Sequence, residues 1–154
     1  MVIRPADLPD DLGPLLRHLE VAYPKEGCGV ILSTPGGHAL VPMENAYDRY
    51  KAVDPEGFPR SSHTAYFFDP REWMRVLTRA DSEGATVSCI VHSHADVGSY
   101  FSAEDRAMAA PDGHPLFPGV SYLVVAVDGG RATRANLYWW EGDTFLEREV
   151  PLTA

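Results

Sequence analysis

Two cysteines in 154 residues, Cys28 and Cys89, are too few for a disulfide framework, so the fold must be held by its own core. Basic residues are also scarce. Thirteen Lys and Arg stand against 22 Asp and Glu, a net charge of −9 with no basic block. That balance argues against nucleic acid or an anionic membrane as the main partner and toward protein or a small molecule. Long apolar runs are missing too: Met1-Val2-Ile3-Arg4-Pro5 leads into no signal-type segment, and no stretch has the length of a transmembrane helix. A cytoplasmic protein is expected. Repeats and low-complexity tracts are absent, and the 45% hydrophobic content suits one domain over 1–154 with a proper core.

What is present alternates helical and strand patterns. Asp11 to Ala22 carries apolar residues at helical spacing and stops before Pro24. Cys28 to Ser33 and His38 to Met43 are strand-like runs around the hairpin signal Thr34-Pro35-Gly36-Gly37. Asn45 to Ser61 has no period and is expected to be a long loop, while His63 to Phe68 is expected to be a strand. Asp69-Pro70-Arg71-Glu72 supplies an N-cap, an N1 proline and a capping-box Glu for a helix to about Ala80. A buried strand from Ala85 to Val91 follows. Val120–Val127, Ala132–Trp139 and Thr144–Val150 are then joined by Gly-containing turns into an antiparallel meander. The expected class is α/β, a mixed, largely antiparallel sheet with flanking helices.

The chemistry is concentrated in His92-Ser93-His94, with Ser102 and Asp105 downstream. Two His at i and i+2 after the apolar run Val87–Val91 point to the same side of a strand, so both imidazoles can reach one ion. Two nitrogens and the carboxylate of Asp105 are the three ligands of a catalytic zinc, which keeps its fourth position open. One Zn²⁺ per chain is expected. Ser102-Ala103-Glu104-Asp105 is also a capping box opening a short helix, which would aim Asp105 rigidly at the His pair. A water on such a metal needs a base that is not itself a ligand, an effect typically worth about 10²–10⁴-fold. Glu26, at the junction between the first helix and the first buried strand, is the candidate.

Glu26 upstream of His92-Ser93-His94, Ser102 and Asp105 resembles the JAMM (MPN-plus) metalloproteases, zinc enzymes that hydrolyse isopeptide and related amide bonds at the tails of ubiquitin-like proteins. The resemblance implies the cytidine-deaminase-like JAMM/MPN fold over nearly the whole chain. It also implies that His92, His94 and Asp105 bind zinc, that Glu26 is the general acid/base, and that Ser102 steadies the oxyanion. Pro24-Lys25-Glu26-Gly27-Cys28-Gly29 and Pro118-Gly119-Val120-Ser121-Tyr122 are similar to segments of the small single-domain bacterial members. Those act on sulfur-carrier proteins of ubiquitin fold ending in Gly-Gly and release an attached amino acid such as cysteine, so a partner of that kind is implied.

The chain departs from many members in having Ala95 after the second His and Phe101 before the Ser, where proline is common. The His94–Ser102 loop is therefore expected to be more mobile. Tyr47, Arg49, Tyr50 and Phe58 either line a channel for a substrate tail or cover the core. His18, His38, His63 and His114 have no spaced partner and fit surface or hydrogen-bonded core positions. Cys28 and Cys89 fit buried small apolar residues that lie near each other. Two other readings compete. His92-Ser93-His94-Ala95-Asp96 begins like the His-x-His-x-Asp motif of metallo-β-lactamases, but Val97 stands where that motif continues with His. A non-catalytic scaffold of the same fold is the other, and scaffold members usually lose ligands that this chain keeps.

Overall fold

Alternating apolar side chains along the strands build two cores, one on each face of a single sheet. The computed structural model describes residues 8–152, so the segment Met1–Pro5 lies outside the described residues. The strands are β1 (Cys28–Thr34), β2 (Gly37–Met43), β3 (Thr86–Ala95), β4 (Ser121–Asp128), β5 (Arg131–Glu141) and β6 (Thr144–Val150). Their order is β2-β1-β3-β4-β5-β6, with β3 and β4 parallel and every other neighbouring pair antiparallel. The β1–β2 hairpin and the β4–β5–β6 meander are as expected from the turn residues.

Helix α1 (Gly13–Ala22) covers one face. Its Leu15 and Leu19 are fully buried against Ile31, Cys89, Val91, Leu123, Val125 and Leu137. Each such side chain contributes about 1.5–3 kcal/mol through burial. Close approach of α1 and β2 to β1 requires Gly29, where a Cβ would meet Val41 O at 2.8 Å and Leu15 Cδ1 at 2.9 Å. The other face is covered by α3 (Pro70–Ser82) and α4 (Ala103–Ala109), with Val76, Ala80 and Ala109 packed over Cys28, Val30, Ile90, Tyr122 and Val124. Asp69 caps α3, its Oδ1 accepting from Arg71 N at 2.8 Å, with Pro70 in the first turn. Among the described residues no helix is long and apolar enough to cross a membrane.

Three expectations are corrected. The segment 45–61 is not one loop: it contains α2 (Tyr47–Val53), with Asp48 in its first turn and Lys51 in its last, complementing the helix dipole. Residues 63–68 form no strand. Their backbone instead hydrogen-bonds the Asn45 side chain, which donates to Ala65 O at 3.0 Å and accepts from Phe67 N at 3.1 Å. The two cysteines are free and buried, but they belong to cores on opposite faces rather than lying together. Tyr50 and Phe58 pack on each other and on Phe67, Tyr47 packs edge-on against Phe58, and Arg49 pairs with Asp69 at 2.9 Å.

Candidate metal centre

Strand β3 runs on through Ala95 and carries both histidines on the face that α4 covers, while Ser93 points to the other side. Ser93 is used structurally. Its Oγ accepts from Gly27 N at 2.8 Å and its own N–H donates to Gly27 O at 2.9 Å, fastening the residue next to Glu26 to the strand of the histidines. Asp105 arrives from α4, whose capping box fixes its first turn.

Three side chains converge. His92 Nε2 and His94 Nε2 are 3.2 Å apart; Asp105 sets Oδ1 3.2 Å from the first and Oδ2 3.1 Å from the second. Tetrahedral ligands at about 2.0–2.1 Å from zinc are separated by roughly 3.3 Å, so the residues present fit such an ion. Glu26 approaches the same point from the start of β1: ligand atoms of Glu26, His92 and His94 all lie within 4.8 Å of one another, all three buried, a group able to hold a metal. Two overlapping donor sets therefore share the histidines, and the one containing Asp105 is the tighter.

Burial pushes the Glu26 carboxyl up to about 8, with Asp105 adding to the effect and Arg60 opposing it. Burial pushes His92 below the usual imidazole value, leaving the neutral form that coordinates metals. Burial also opposes ionisation of Asp105, but His92, His94 and the Ser102 N–H outweigh it and hold the carboxyl well below the ordinary carboxylate range. The Nδ1 atoms of both histidines are buried without a hydrogen-bond partner. Ring packing orients them instead: Tyr66 stacks on His92 at 4.5 Å, and Tyr100 meets His94 edge-on at 5.0 Å.

Ser102 lines a cavity of about 130 Å³ together with Glu26 and His94. Arg60, His63, Thr64, Ala95, Val97 and Tyr100 complete its lining. Asp96 faces elsewhere, accepting from Tyr23 Oη at 2.6 Å and from Gly129 N at 2.9 Å, which removes it from the ligand set that a lactamase-like site would need. The His94–Ser102 loop is tied down by Tyr138 Oη on Ser99 O at 2.7 Å and Ser99 Oγ on Asn136 Oδ1 at 2.5 Å. His18 Nε2 lies 3.0 Å from both Cys28 O and Met43 O, a hydrogen-bonded core position. His63 and His114 are exposed, and only His63 borders the cavity.

Sequence reasoning missed Asn45, Arg60, Tyr66 and Tyr100. Asn45 uses its whole amide, donating to Glu26 O at 2.8 Å as well as to Ala65 O and accepting from Tyr47 N and Phe67 N, both at 3.1 Å. Behind Tyr66 lies a larger apolar cavity of about 260 Å³, lined by Phe68, Trp73, Met108, Phe117 and Tyr122 among others; it does not touch Glu26 or Ser102.

Known proteins resemble this chain in sequence and in fold. The chain is 29% identical over 130 residues to the desampylase of Haloferax volcanii, covering 82% of this chain and 78% of that one. The solution structure of a protein from Desulfitobacterium hafniense superposes with a TM-score of 0.63 at 21% identity, covering 92% of this chain and 88% of the other. One from Salinibacter ruber gives 0.58 at 25% identity, with the same coverage. The family model described as prokaryotic homologs of the JAB domain matches residues 10–140. The chain belongs to that family, the one its His-x-His, Ser and Asp spacing resembles.

Proposed function

We propose that this chain is a zinc-dependent JAMM-type isopeptidase of the cytoplasm. It hydrolyses the amide after the C-terminal Gly-Gly of a ubiquitin-like sulfur-carrier protein, releasing an amino acid such as cysteine. The observation that carries this reading is the triangle of His92, His94 and Asp105 at 3.1–3.2 Å with the buried Glu26 carboxyl beside it. The desampylase relative supports a ubiquitin-like modifier as the substrate class.

His92, His94 and Asp105 would hold the ion, with Glu26 outside the ligand set. Bound there, zinc supplies Lewis acidity toward a water and a carbonyl oxygen. The Glu26 carboxylate takes one proton from the attacking water and hands it to the amide nitrogen. The water oxygen joins the acyl carbon, the C–N bond breaks, and carrier acid and free amine result. The raised proton affinity of Glu26 suits a group that must take and return a proton near neutral pH. Ser102 donates its O–H to the carbonyl oxygen as that atom gathers negative charge. A Gly-Gly tail fits such a site, because a Cβ next to the reacting bond needs room that Gly does not.

The test uses the zinc-loaded protein with a ubiquitin-fold carrier extended by one residue after Gly-Gly, followed by mass spectrometry. Release of that residue with casein left intact is expected. Efficient digestion of casein, or equal cleavage when Val replaces the last Gly, would overturn the proposed specificity.

A further inference from the structure

The cavity that Glu26 lines is also lined by Arg60, whose charge opposes the upward shift of the Glu26 carboxyl but which takes no part in the hydrolytic steps. Arg60 is anchored through its backbone: its N–H donates to Tyr47 Oη at 3.0 Å and its carbonyl accepts from Lys51 Nζ. The segment is fixed from both sides. Ser62 binds Asp48 through N–H at 2.8 Å and Oγ at 2.5 Å, and Ser62 O accepts from Glu26 N at 2.7 Å. The chain that carries Arg60 is thus hydrogen-bonded to the backbone of Glu26 itself. Among the described residues the Arg60 side chain enters no ion pair and no hydrogen bond. His63 and Thr64 line the same cavity.

We propose that Arg60 is a specificity residue that binds the free α-carboxylate of the amino acid leaving the carrier. The inference rests on the amide-hydrolase reading above and assigns the leaving side of its substrate. A planar guanidinium presents paired N–H donors that match two carboxylate oxygens. In a protein of net charge −9, an unpaired cation in the site wall is where an anionic group is tolerated. The cavity of about 130 Å³ holds Arg60 and Glu26 in one lining, so a residue-sized leaving group next to the reacting bond can meet both. The substrates favoured are therefore carriers extended by one amino acid with a free carboxyl end, ahead of conjugates in which that end is blocked or continues as a chain.

Binding is measured by calorimetry on zinc-loaded Glu26→Gln, which retains the site without turning over, using synthetic peptides ending in Gly-Gly-Ala as the acid or the amide. The acid is expected to bind roughly tenfold to a hundredfold tighter. Adding Arg60→Ala removes that preference and Arg60→Lys keeps part of it. Melting temperatures stay unchanged, because the contacts of Arg60 are made by its backbone. In parallel, kcat/KM of the Glu26-containing protein is compared on carrier-Gly-Gly-Ala acid and amide. Turnover without any acid preference overturns the role of Arg60 and leaves the hydrolase reading standing. An acid preference abolished by Arg60→Ala, with no turnover by the Glu26-containing protein, does the reverse. An equal loss on both substrates in Arg60→Ala also overturns the proposal, since it assigns Arg60 to the reaction and not to the carboxylate.

Discussion

Ser102 and Asp105 satisfy each other: the Asp105 N–H donates to Ser102 Oγ at 3.0 Å, and the Ser102 N–H donates to Asp105 Oδ2 at 3.0 Å. The Ser102 oxygen is thus occupied as an acceptor while its own proton is left to give away. Two roles in one side chain can be separated. Ser102→Ala loses the cap, about 1 kcal/mol, and the donor, about 10²–10³ in turnover. Ser102→Gly is expected to recover all but a few tenths of a kcal/mol of the stability, because Gly is tolerated at N-caps, yet none of the turnover. Melting curves and kcat on both variants check this; activity returning with stability would leave Ser102 as a cap alone.

Metal content distinguishes the ligand sets. The purified protein is expected to carry one zinc per chain, with His92→Ala and Asp105→Ala each losing most of it. Asp96→Ala keeps it, since Asp96 is engaged by Tyr23 and Gly129. Elemental analysis decides, and retention in Asp105→Ala with loss in Glu26→Gln would move Glu26 into the ligand set.

Glu26→Gln spares the histidines and Asp105 and removes the proton carrier. Its zinc content and melting temperature should match those of the unaltered protein while turnover falls by about two or more orders of magnitude. Near-normal activity in this variant would remove Glu26 from the reaction.

Gly29→Ala places a methyl against Val41 O and Leu15 Cδ1, at 2.8 and 2.9 Å. One contact is backbone that cannot rotate away, so a loss of about 1–3 kcal/mol is expected in urea unfolding. An unchanged midpoint would mean that the β1–β2 hairpin shifts freely.

Acid should weaken one specific tie. The Tyr23 hydroxyl and the Gly129 N–H hold the Asp96 carboxyl below its ordinary value. A carboxyl depressed in the fold stabilises fully above the unfolded value of about 4, and that stabilisation is lost as pH falls through the folded value. The gap in melting temperature between the unaltered protein and Asp96→Asn is therefore widest near neutrality and closes in acid. Asn is the apt replacement because Asp96 sits at φ +62, a region Asn tolerates. A gap that widens on acidification contradicts the assignment.

The strands and the His pair were legible because period-2 alternation is local: Ile90, His92 and His94 share a face wherever β3 sits in the sheet. Helix α3 was legible through Asp69 and Pro70. Helix α2 was not, since seven residues that bury only Tyr47 leave no apolar stripe to read. The segment 63–68 imitated a strand because its backbone is extended, yet it is held by the Asn45 side chain and the Ala46 N–H rather than by a neighbouring strand, a choice that no local pattern encodes. Tyr66 reaches the site through that same segment, and Arg60 through the residues just ahead of it. Their place depended on tertiary hydrogen bonds to Glu26, Asp48 and Asn45.

The separation of the two thiols gives the protein a built-in pair of clocks. Cys28 and Cys89 are 0% and 1% exposed, and burial raises both thiols, so the native chain resists alkylation. Each sulfur becomes reactive only when its own side of the sheet opens. The two labelling rates, resolved by peptide mapping, therefore time the lifting of the α3–α4 layer and of α1 as separate events.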